Sequence, residues 1–408
     1  MIHLQTSAAC GDSTTSVIAD LETQLGARAG QARMVFTFYG CSHDDVALHA
    51  WLRNRFPHAA VMGGSSSGGF MTEKGFFDQS GIGLLVIDDD QGDYGVASAC
   101  LGDDPARTAE HLLQQALASC GCTGELPELI WIYQSPGQEE LVIEGLRRVV
   151  GDSCPIVGGS SADEDVSGRW RQLGQEGCFS NGLVVGVLFP SSSIGYAFQG
   201  GYEPAGPNGI VTGIRATPGR ASGTADAARG RDILTIDDAP AAQVYNDWND
   251  ALINTRLATG GSILADTTMF PLAVDAGRVD GITHYLLVHP ESVGADGSLR
   301  TFCDLQVGDR VFAMKGNHQR LVDRAGRVAD QAGRTLPDGH DGIAGGIVVY
   351  CGGCKLAVGD DIQRVAVAVA DGLGGAPFIG CFTFGEQGWM TNCSVHGNLM
   401  ISAVVLGT

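Results

Sequence analysis

At 408 residues and 44% hydrophobic content, the chain has length for two ordinary domains with their own cores and is too apolar to be disordered. A formal net charge of −21 leaves nothing to neutralise phosphates, which excludes nucleic acid and anionic membranes as expected partners. The start, Met1-Ile2-His3-Leu4-Gln5, has neither the basic nor the apolar region of a signal peptide, and no window reaches the length of a membrane span, so a cytoplasmic location is expected, with the twelve cysteines reduced.

In chain order, residues 34–38 read as a buried strand and 44–55 as a helix. A strand at 59–62, the loop Gly63-Gly64-Ser65-Ser66-Ser67-Gly68 and a strand at 82–87 follow. The same order returns: a strand at 129–133, a helix at 139–150 with Val142, Gly145, Leu146 and Val149 on one stripe, Pro155 to Gly159, the loop Ser160-Ser161, and a strand at 183–188. A third copy closes the chain, with strand 347–350, helix 361–373, Pro377 to Gly380, a polar loop and strand 399–406. Glycines 374 and 375 stop the third helix, because glycine takes the left-handed conformation without penalty. This repeat is too long for a solenoid and predicts an α/β protein of two domains, with mixed β-sheets built from duplicated β-α-β-loop-β units. The boundary is placed in the stretch 212–231, rich in Gly, Ala, Arg and Thr without apolar period, giving domains 1–215 and 216–408. Ala109, Leu112, Leu113, Ala116, Leu117 and Cys120 predict an amphipathic helix between the copies. Beyond the boundary a strand is expected at 232–236, a helix at 239–255, a strand at 283–288 ending in His289-Pro290, and a helix after Asn317 carrying Leu321, Ala325, Val328 and Ala332.

Gly64-Ser65-Ser66-Ser67-Gly68 matches the G-x-S-x-G nucleophile pattern, with Ser66 in the central place. That chemistry needs a strand-to-helix elbow and an oxyanion hole, and the residues that follow form a poor helix, so a backbone nest for a polar ligand is the preferred reading. Cys351-Gly352-Gly353-Cys354 has the spacing of half a zinc site or of a redox pair, yet no second C-x-x-C exists and a turn with small buried side chains suffices. In Cys154-Pro155 the proline belongs to the repeat. No Walker loop, H-E-x-x-H or dinucleotide fingerprint is present. Of the ten histidines, His43, His49, His58, His111, His318 and His340 are expected in solvent. His289 closes an apolar strand, and His396 precedes Gly-Asn and a buried strand; these two are the candidate ligands.

The ending Pro377-Phe-Ile-Gly380-Cys-Phe-Thr-Phe-Gly385-Glu386, followed by His396-Gly-Asn398, resembles the C-terminal signature of FIST domains. The two upstream Gly-Gly-Ser loops are similar to the N-terminal FIST half. The resemblance covers nearly the whole chain and implies a bacterial intracellular sensory module for a small ligand, not an enzyme. With His284-Tyr-Leu-Leu-Val-His289-Pro290-Glu291 and no fused kinase or cyclase segment in the sequence, the chain also looks like the stand-alone nitric-oxide-sensing subgroup. That resemblance implies haem b held through a histidine, nitric oxide as signal, and a separate histidine kinase or cyclic-di-GMP enzyme as partner in biofilm behaviour, with a homodimer left open. His289 is then the first choice for the iron and His396 the second, with Tyr285, Leu287, Met269, Phe270 and Met314 as apolar walls. The competing class is a haem-free FIST module that binds an amino acid or other metabolite in the Ser/Gly loops; a serine hydrolase using Ser66 is a distant third.

Overall fold

The computed structural model describes residues 2–26, 30–216, 229–279 and 281–408. Contacts divide the chain into two compact units: Met1–Phe198 with Val322–Val395 and Ile401–Thr408, and Gln199–Leu321 with His396–Met400. A cut at 215/216 divides the chain differently, since the second unit lies inside the sequence of the first.

The first unit is one supersecondary unit written three times. Copy one comprises β1 (His3–Cys10), α1 (Thr14–Gln24), β2 (Met34–Tyr39), α2 (Asp45–Arg55), β3 (Ala60–Ser65), a hairpin of β4 (Phe70–Thr72) and β5 (Gly75–Phe77), and β6 (Gly81–Asp88). Copy two repeats it with β7 (Asp93–Cys100), α3 (Pro105–Ser119), β8 (Leu129–Gln134), α4 (Glu139–Val150), β9 (Ile156–Ser160), the hairpin β10 (Gln172–Leu173) and β11 (Cys178–Phe179), and β12 (Gly182–Phe189). Copy three opens with β13 (Ile194–Gly200), and the second unit is then inserted in the sequence.

That insertion holds β14 (Glu203–Arg215), β15 (Arg229–Ile236), β16 (Ala239–Pro240), α5 (Ala241–Trp248), α6 (Asn254–Thr259), β17 (Gly261–Ser262), α7 (Leu264–Thr267), β18 (Leu272–Val279), β19 (Ile282–Val288), β20 (Pro290–Val293), β21 (Leu299–Gln306) and β22 (Arg310–Lys315). Copy three resumes with α8 (His318–Arg334), β23 (Ile343–Cys351), α9 (Gly352–Val358), α10 (Ile362–Gly372), β24 (Phe378–Thr383), the hairpin β25 (Glu386–Met390) and β26 (Cys393–Gly397), and β27 (Met400–Gly407).

The three sheets of the first unit share one strand order: β1-β6-β2-β3-β10-β11, β7-β12-β8-β9-β25-β26 and β13-β27-β23-β24-β4-β5. In each, one parallel pair (β2/β3, β8/β9, β23/β24) sits beside antiparallel neighbours. Each hairpin leaves its own copy and completes the next sheet, so copy one lends β4–β5 to sheet three, copy two lends β10–β11 to sheet one, and copy three lends β25–β26 to sheet two. Inward-facing residues of all three sheets, among them Phe36, Phe38, Trp131, Tyr133, Val349 and Cys381, merge into one apolar core. The outer face of sheet one is covered by α1 and α2 through Leu21, Leu48 and Leu52, and that of sheet two by α3 and α4 through Leu113 and Leu146. The period-2 alternation of each strand feeds both cores at once. Helix starts are capped as the sequence prescribes: Ser13, Asp44 and Asp104 each accept a backbone N–H, worth about 1 kcal/mol apiece.

The structure extends the sequence reading of the repeat. The helix expected between copies is α3, the first helix of copy two, and β1–α1 is its counterpart in copy one. The expected strands at 59–62 and 155–159 run on through the glycines and the first serine, to Ser65 and Ser160. The helix expected over 239–255 is instead α5 and α6, because Asp250 and Ala251 adopt left-handed φ of 52° and 65° and break it. Of the stretch 212–231, the two ends are strand, in β14 and β15, and 217–228 lie outside the described residues. His43 is buried rather than solvated, with Nδ1 3.3 Å from Thr14 Oγ1. Cys351 ends β23 and Cys354 lies in α9, both buried, and all twelve cysteines are free thiols. Among the described residues no helix is long and apolar enough to cross a membrane.

The second unit is built on a sheet with the order β17-β20-β21-β15-β14-β22-β18-β19, to which β16 adds at β15. Val211, Ile233, Leu272, Val288, Leu299 and Val311 form its core with Ala242 and Tyr245 of α5.

Candidate functional site

Buried polar side chains gather in the serine loops of the first unit and around His289 in the second. In the first unit the serine loops follow the carboxyl ends of the parallel strands and bind one another in a ring. Ser67 N–H donates to Phe382 O (3.1 Å), Phe384 N–H to Ser160 O (3.0 Å), and Ala162 N–H to Ser65 O (3.3 Å). Just ahead of these loops, equivalent glycines let the paired parallel strands of copies one and two approach closely: Gly63 and Gly158 both have φ of +150°, and a Cβ would stand 1.8 Å from Thr37 O and 1.9 Å from Ile132 O.

The hydroxyls are spent in the same way. Ser66 Oγ donates to Gly69 O (2.5 Å) and accepts from Phe382 N–H (2.8 Å). Ser65 Oγ donates to Ala162 O and accepts from Arg171 N–H. Ser161 Oγ donates to Gln134 O and accepts from Gln172 Nε2, and Ser160 Oγ donates to Glu139 Oε1. A serine nucleophile needs its proton aimed at a base, whereas the Ser66 proton is aimed at a carbonyl. The backbone nest expected here is closed as well, since the N–H groups of Ser65, Ser66, Ser160 and Ser161 go to the carbonyls of Arg171, Tyr39, Gly385 and Gln134. Gln134 and Gln387 are fully buried on the α4 side of sheet two, and neither carboxamide has a protein partner. Their need for a partner was not visible in sequence, because it arises from strand exchange.

In the second unit, β18 lies between β19 and β22, with Leu287 opposite Ala273 and Ala273 opposite Phe312. Tyr285, Leu287 and His289 have the same parity along one chain segment. The Tyr285 and Phe312 rings meet edge to face at 5.3 Å. Met314 N–H donates to Pro271 O (2.9 Å) and Gly316 N–H to Met269 O (2.8 Å), which brings Met269, Phe270 and Met314 alongside. Leu287 and Met314 are buried; Met269, Phe270 and Tyr285 are half-buried.

His289 is 3% exposed. Burial lowers its pKa to about 4 against a hydrogen bond with the Leu264 carbonyl, so the imidazole is neutral at pH 7. Its Nε2 lies 3.1 Å from Thr267 Oγ1, and its ring is tilted 49° to Phe302 with centroids 5.8 Å apart. The backbone N–H of His289 reaches Asn398 Oδ1 at 3.4 Å, and the Cys303 thiol donates to the same oxygen at 2.8 Å. Cys303 Sγ is also 3.7 Å from His396 O, and His396 is itself buried. Asn398 thus ties His289 to the segment that carries His396, and Cys303 and Thr267 complete a cluster of which sequence reasoning named only the histidines and the asparagine. The two-residue spacing of Leu299, Thr301, Cys303 and Leu305 in the sequence was a signal for Cys303; Thr267 had none.

The FIST N domain profile matches residues 33–217 and the FIST C domain profile residues 241–389. The chain belongs to the FIST-domain proteins. This pair of domains marks a sensory module of signal transduction. No curated protein matches this FIST protein. Among solved structures it is similar to a cyanuric acid hydrolase from A. caulinodans (10% identity over 100% of both chains, TM-score 0.33) and to another structure described as cyanuric acid hydrolase, an evolutionary innovation by structural concatenation (9%, 100% of both chains, TM-score 0.38). A third, PurLQS from Thermotoga maritima, is 8% identical over 78% of this chain and 72% of the other, with a TM-score of 0.23. Scores this low carry no argument about activity.

Proposed function

We propose that this FIST protein is a haem b-based nitric oxide sensor of the cytoplasm that regulates a separate histidine kinase or cyclic-di-GMP enzyme, acting by binding and not by catalysis. The observation that carries the reading is His289, a buried imidazole held neutral where an apolar strand ends. A haem iron takes its axial nitrogen from a neutral imidazole, whose other nitrogen is oriented by a backbone or carboxylate acceptor. His289 has that charge state and a carbonyl partner in Leu264. Tyr285, Leu287, Met269, Phe270 and Met314 would supply apolar walls, and His396 is the second choice of ligand. The residues fit the group in charge and polarity, and one contact must give way, the hydrogen bond between His289 Nε2 and Thr267 Oγ1. When bound, haem iron supplies the position at which nitric oxide coordinates. Regulation then requires that a partner-facing surface differ between the free and ligated protein, since only differential contacts shift an equilibrium.

Haem reconstitution of the purified protein beside its His289→Ala and His396→Ala variants tests this. The reading expects a Soret band in the wild type, lost in His289→Ala and retained in His396→Ala. Identical spectra from both variants would remove the ligand assignments, and a protein that takes up no haem would be a haem-free FIST module for a small metabolite.

A further inference from the structure

The loop that leaves β9 for the exchanged hairpin β10–β11 contains Asp163-Glu164-Asp165-Val166-Ser167-Gly168-Arg169. Oxygen-bearing side chains in the first, third and fifth places with glycine in the sixth, D-x-D-x-S-G, make the front half of a loop that wraps a calcium ion. Val166 in the fourth place and Gly168 in the sixth have left-handed φ of 57° and 86°. A β-branched residue rarely adopts that conformation, so Val166 is held there against its preference. The flanking elements are strands, and the likeness is of the loop alone.

The side chains converge. Ser167 Oγ lies 3.4 Å from Asp163 Oδ2 and also hydrogen-bonds the Asp165 carboxylate, while the Arg169 backbone N–H donates to Asp163 Oδ2 at 2.8 Å. The Asp163 carboxylate is therefore turned into the loop. It is 0% exposed, and its other oxygen, Oδ1, meets no donor among the described residues. A carboxylate oxygen buried without a partner is costly, and a bound cation removes that cost. The Arg169 guanidinium lies at the mouth of the cluster, with Nε 3.0 Å from Ser167 Oγ and Nη2 3.3 Å from Asp165 Oδ1 and 3.8 Å from Glu164 Oε2. It leaves Asp163 Oδ1 unmet, and at 57% exposure it can swing into water and vacate room for an ion. Asp163, Glu164 and Asp165 face this single basic residue of the loop, in a chain of net charge −21.

We propose that residues 163–169 form a calcium site, in which Asp163 Oδ1, an Asp165 carboxylate oxygen and Ser167 Oγ ligate the ion and the Arg169 guanidinium is the counter-ion it displaces. Calcium accepts the irregular oxygen shell of a loop, whereas magnesium demands a regular octahedron and sheds water reluctantly. Gly174 stands in the twelfth place, where such loops carry a glutamate, and the seventh-place carbonyl, Arg169 O, already accepts from Arg171 Nη1 at 3.2 Å. Water completes the shell, and affinity belongs at the weak, submillimolar to millimolar end for such loops. Arg171, two residues on, donates its N–H to Ser65 Oγ at 2.8 Å and accepts the Ser65 N–H at 2.9 Å. The ion thus steadies the entry of the hairpin that completes sheet one, independently of haem.

The test is calorimetric titration of the chelator-stripped, full-length protein with calcium chloride and, separately, magnesium chloride, with melting curves in each salt. One calcium ion per chain, little response to magnesium, and a melting temperature raised by calcium alone are expected. Asp165→Asn alters a side chain that is 58% exposed, so the variant should fold, and it should weaken calcium binding roughly tenfold or more. Asp163→Asn should abolish binding, and Arg169→Gln should tighten it severalfold by removing the competing guanidinium. No calcium uptake by the wild type would overturn the site, as would an equal response to both metals, which diffuse attraction to a negative protein gives. Asp165→Asn binding as well as wild type, or Arg169→Gln losing stability with no gain in calcium affinity, would reduce the cluster to a partner for Arg169.

Discussion

The serine loops of the first unit and the His289 cluster of the second both bury polar groups, and they use them differently. In the first unit the serine hydroxyls go to backbone carbonyls and one carboxylate, and most loop N–H groups go to a carbonyl from another copy, so polarity serves to lock three copies together. In the second unit the backbone N–H of His289 and the Cys303 thiol converge on the carboxamide oxygen of Asn398, while the neutral His289 imidazole bonds a hydroxyl and a carbonyl. Glycine-serine loops look like ligand nests in a sequence, and here they are joints. The buried neutral imidazole sits in the inserted unit.

Backbone closeness at the joints should give the largest effect. Gly158→Ala places a methyl group against Ile132 O at a φ that alanine rarely adopts, and a loss of more than about 4 kcal/mol is expected, seen as failure to fold or as a collapsed urea midpoint. Ser66→Ala comes next, because it strands the Gly69 carbonyl and the Phe382 N–H in a buried loop; about 2 kcal/mol should be lost in urea unfolding. The same variant should leave any hydrolysis of an activated ester unchanged, and an esterase activity that vanished with Ser66 would reverse the contrast between the two units. In the second unit, Thr267→Val keeps the side chain's shape and releases His289 Nε2. It should cost about 1 kcal/mol in stability and raise haem affinity, measured by titration of apoprotein; a weaker affinity would mean that Thr267 assists the ligand. The smallest effect belongs to His43, whose pKa is lowered by burial against a hydrogen bond to the Ser80 backbone carbonyl. The unfolded chain therefore takes up this proton at a higher pH than the native protein does. Stability from His43 is present above the ordinary histidine range and is lost as pH falls through it toward the folded pKa. His43→Gln should flatten that part of the stability-against-pH curve relative to wild type.

Much of the first unit was legible in sequence because its signals are local: apolar runs such as Leu129 to Tyr133, the stripe of α4, and the Gly374-Gly375 stop, which has φ of 62° and 79° as expected. Hairpin exchange was not legible. Phe70 to Thr72 pairs with Ile379 to Cys381, some three hundred residues away, and no local pattern specifies such a partner. For the same reason the unmet carboxamides of Gln134 and Gln387 had no signature. The site in the second unit was half legible. Nearness in sequence to His289 pointed to Tyr285 and Leu287, while the return of His396 to Asn398 beside Cys303 depends on a chain that leaves the unit and comes back.

Anaerobic titration of the ferrous, haem-reconstituted protein with nitric oxide, followed in the Soret region for wild type and His289→Ala, bears most directly on the sensing account. A band that shifts with nitric oxide in the wild type, and that is missing in His289→Ala, is the predicted result. Equal haem uptake and an equal shift in both proteins, or no uptake in either, would contradict it.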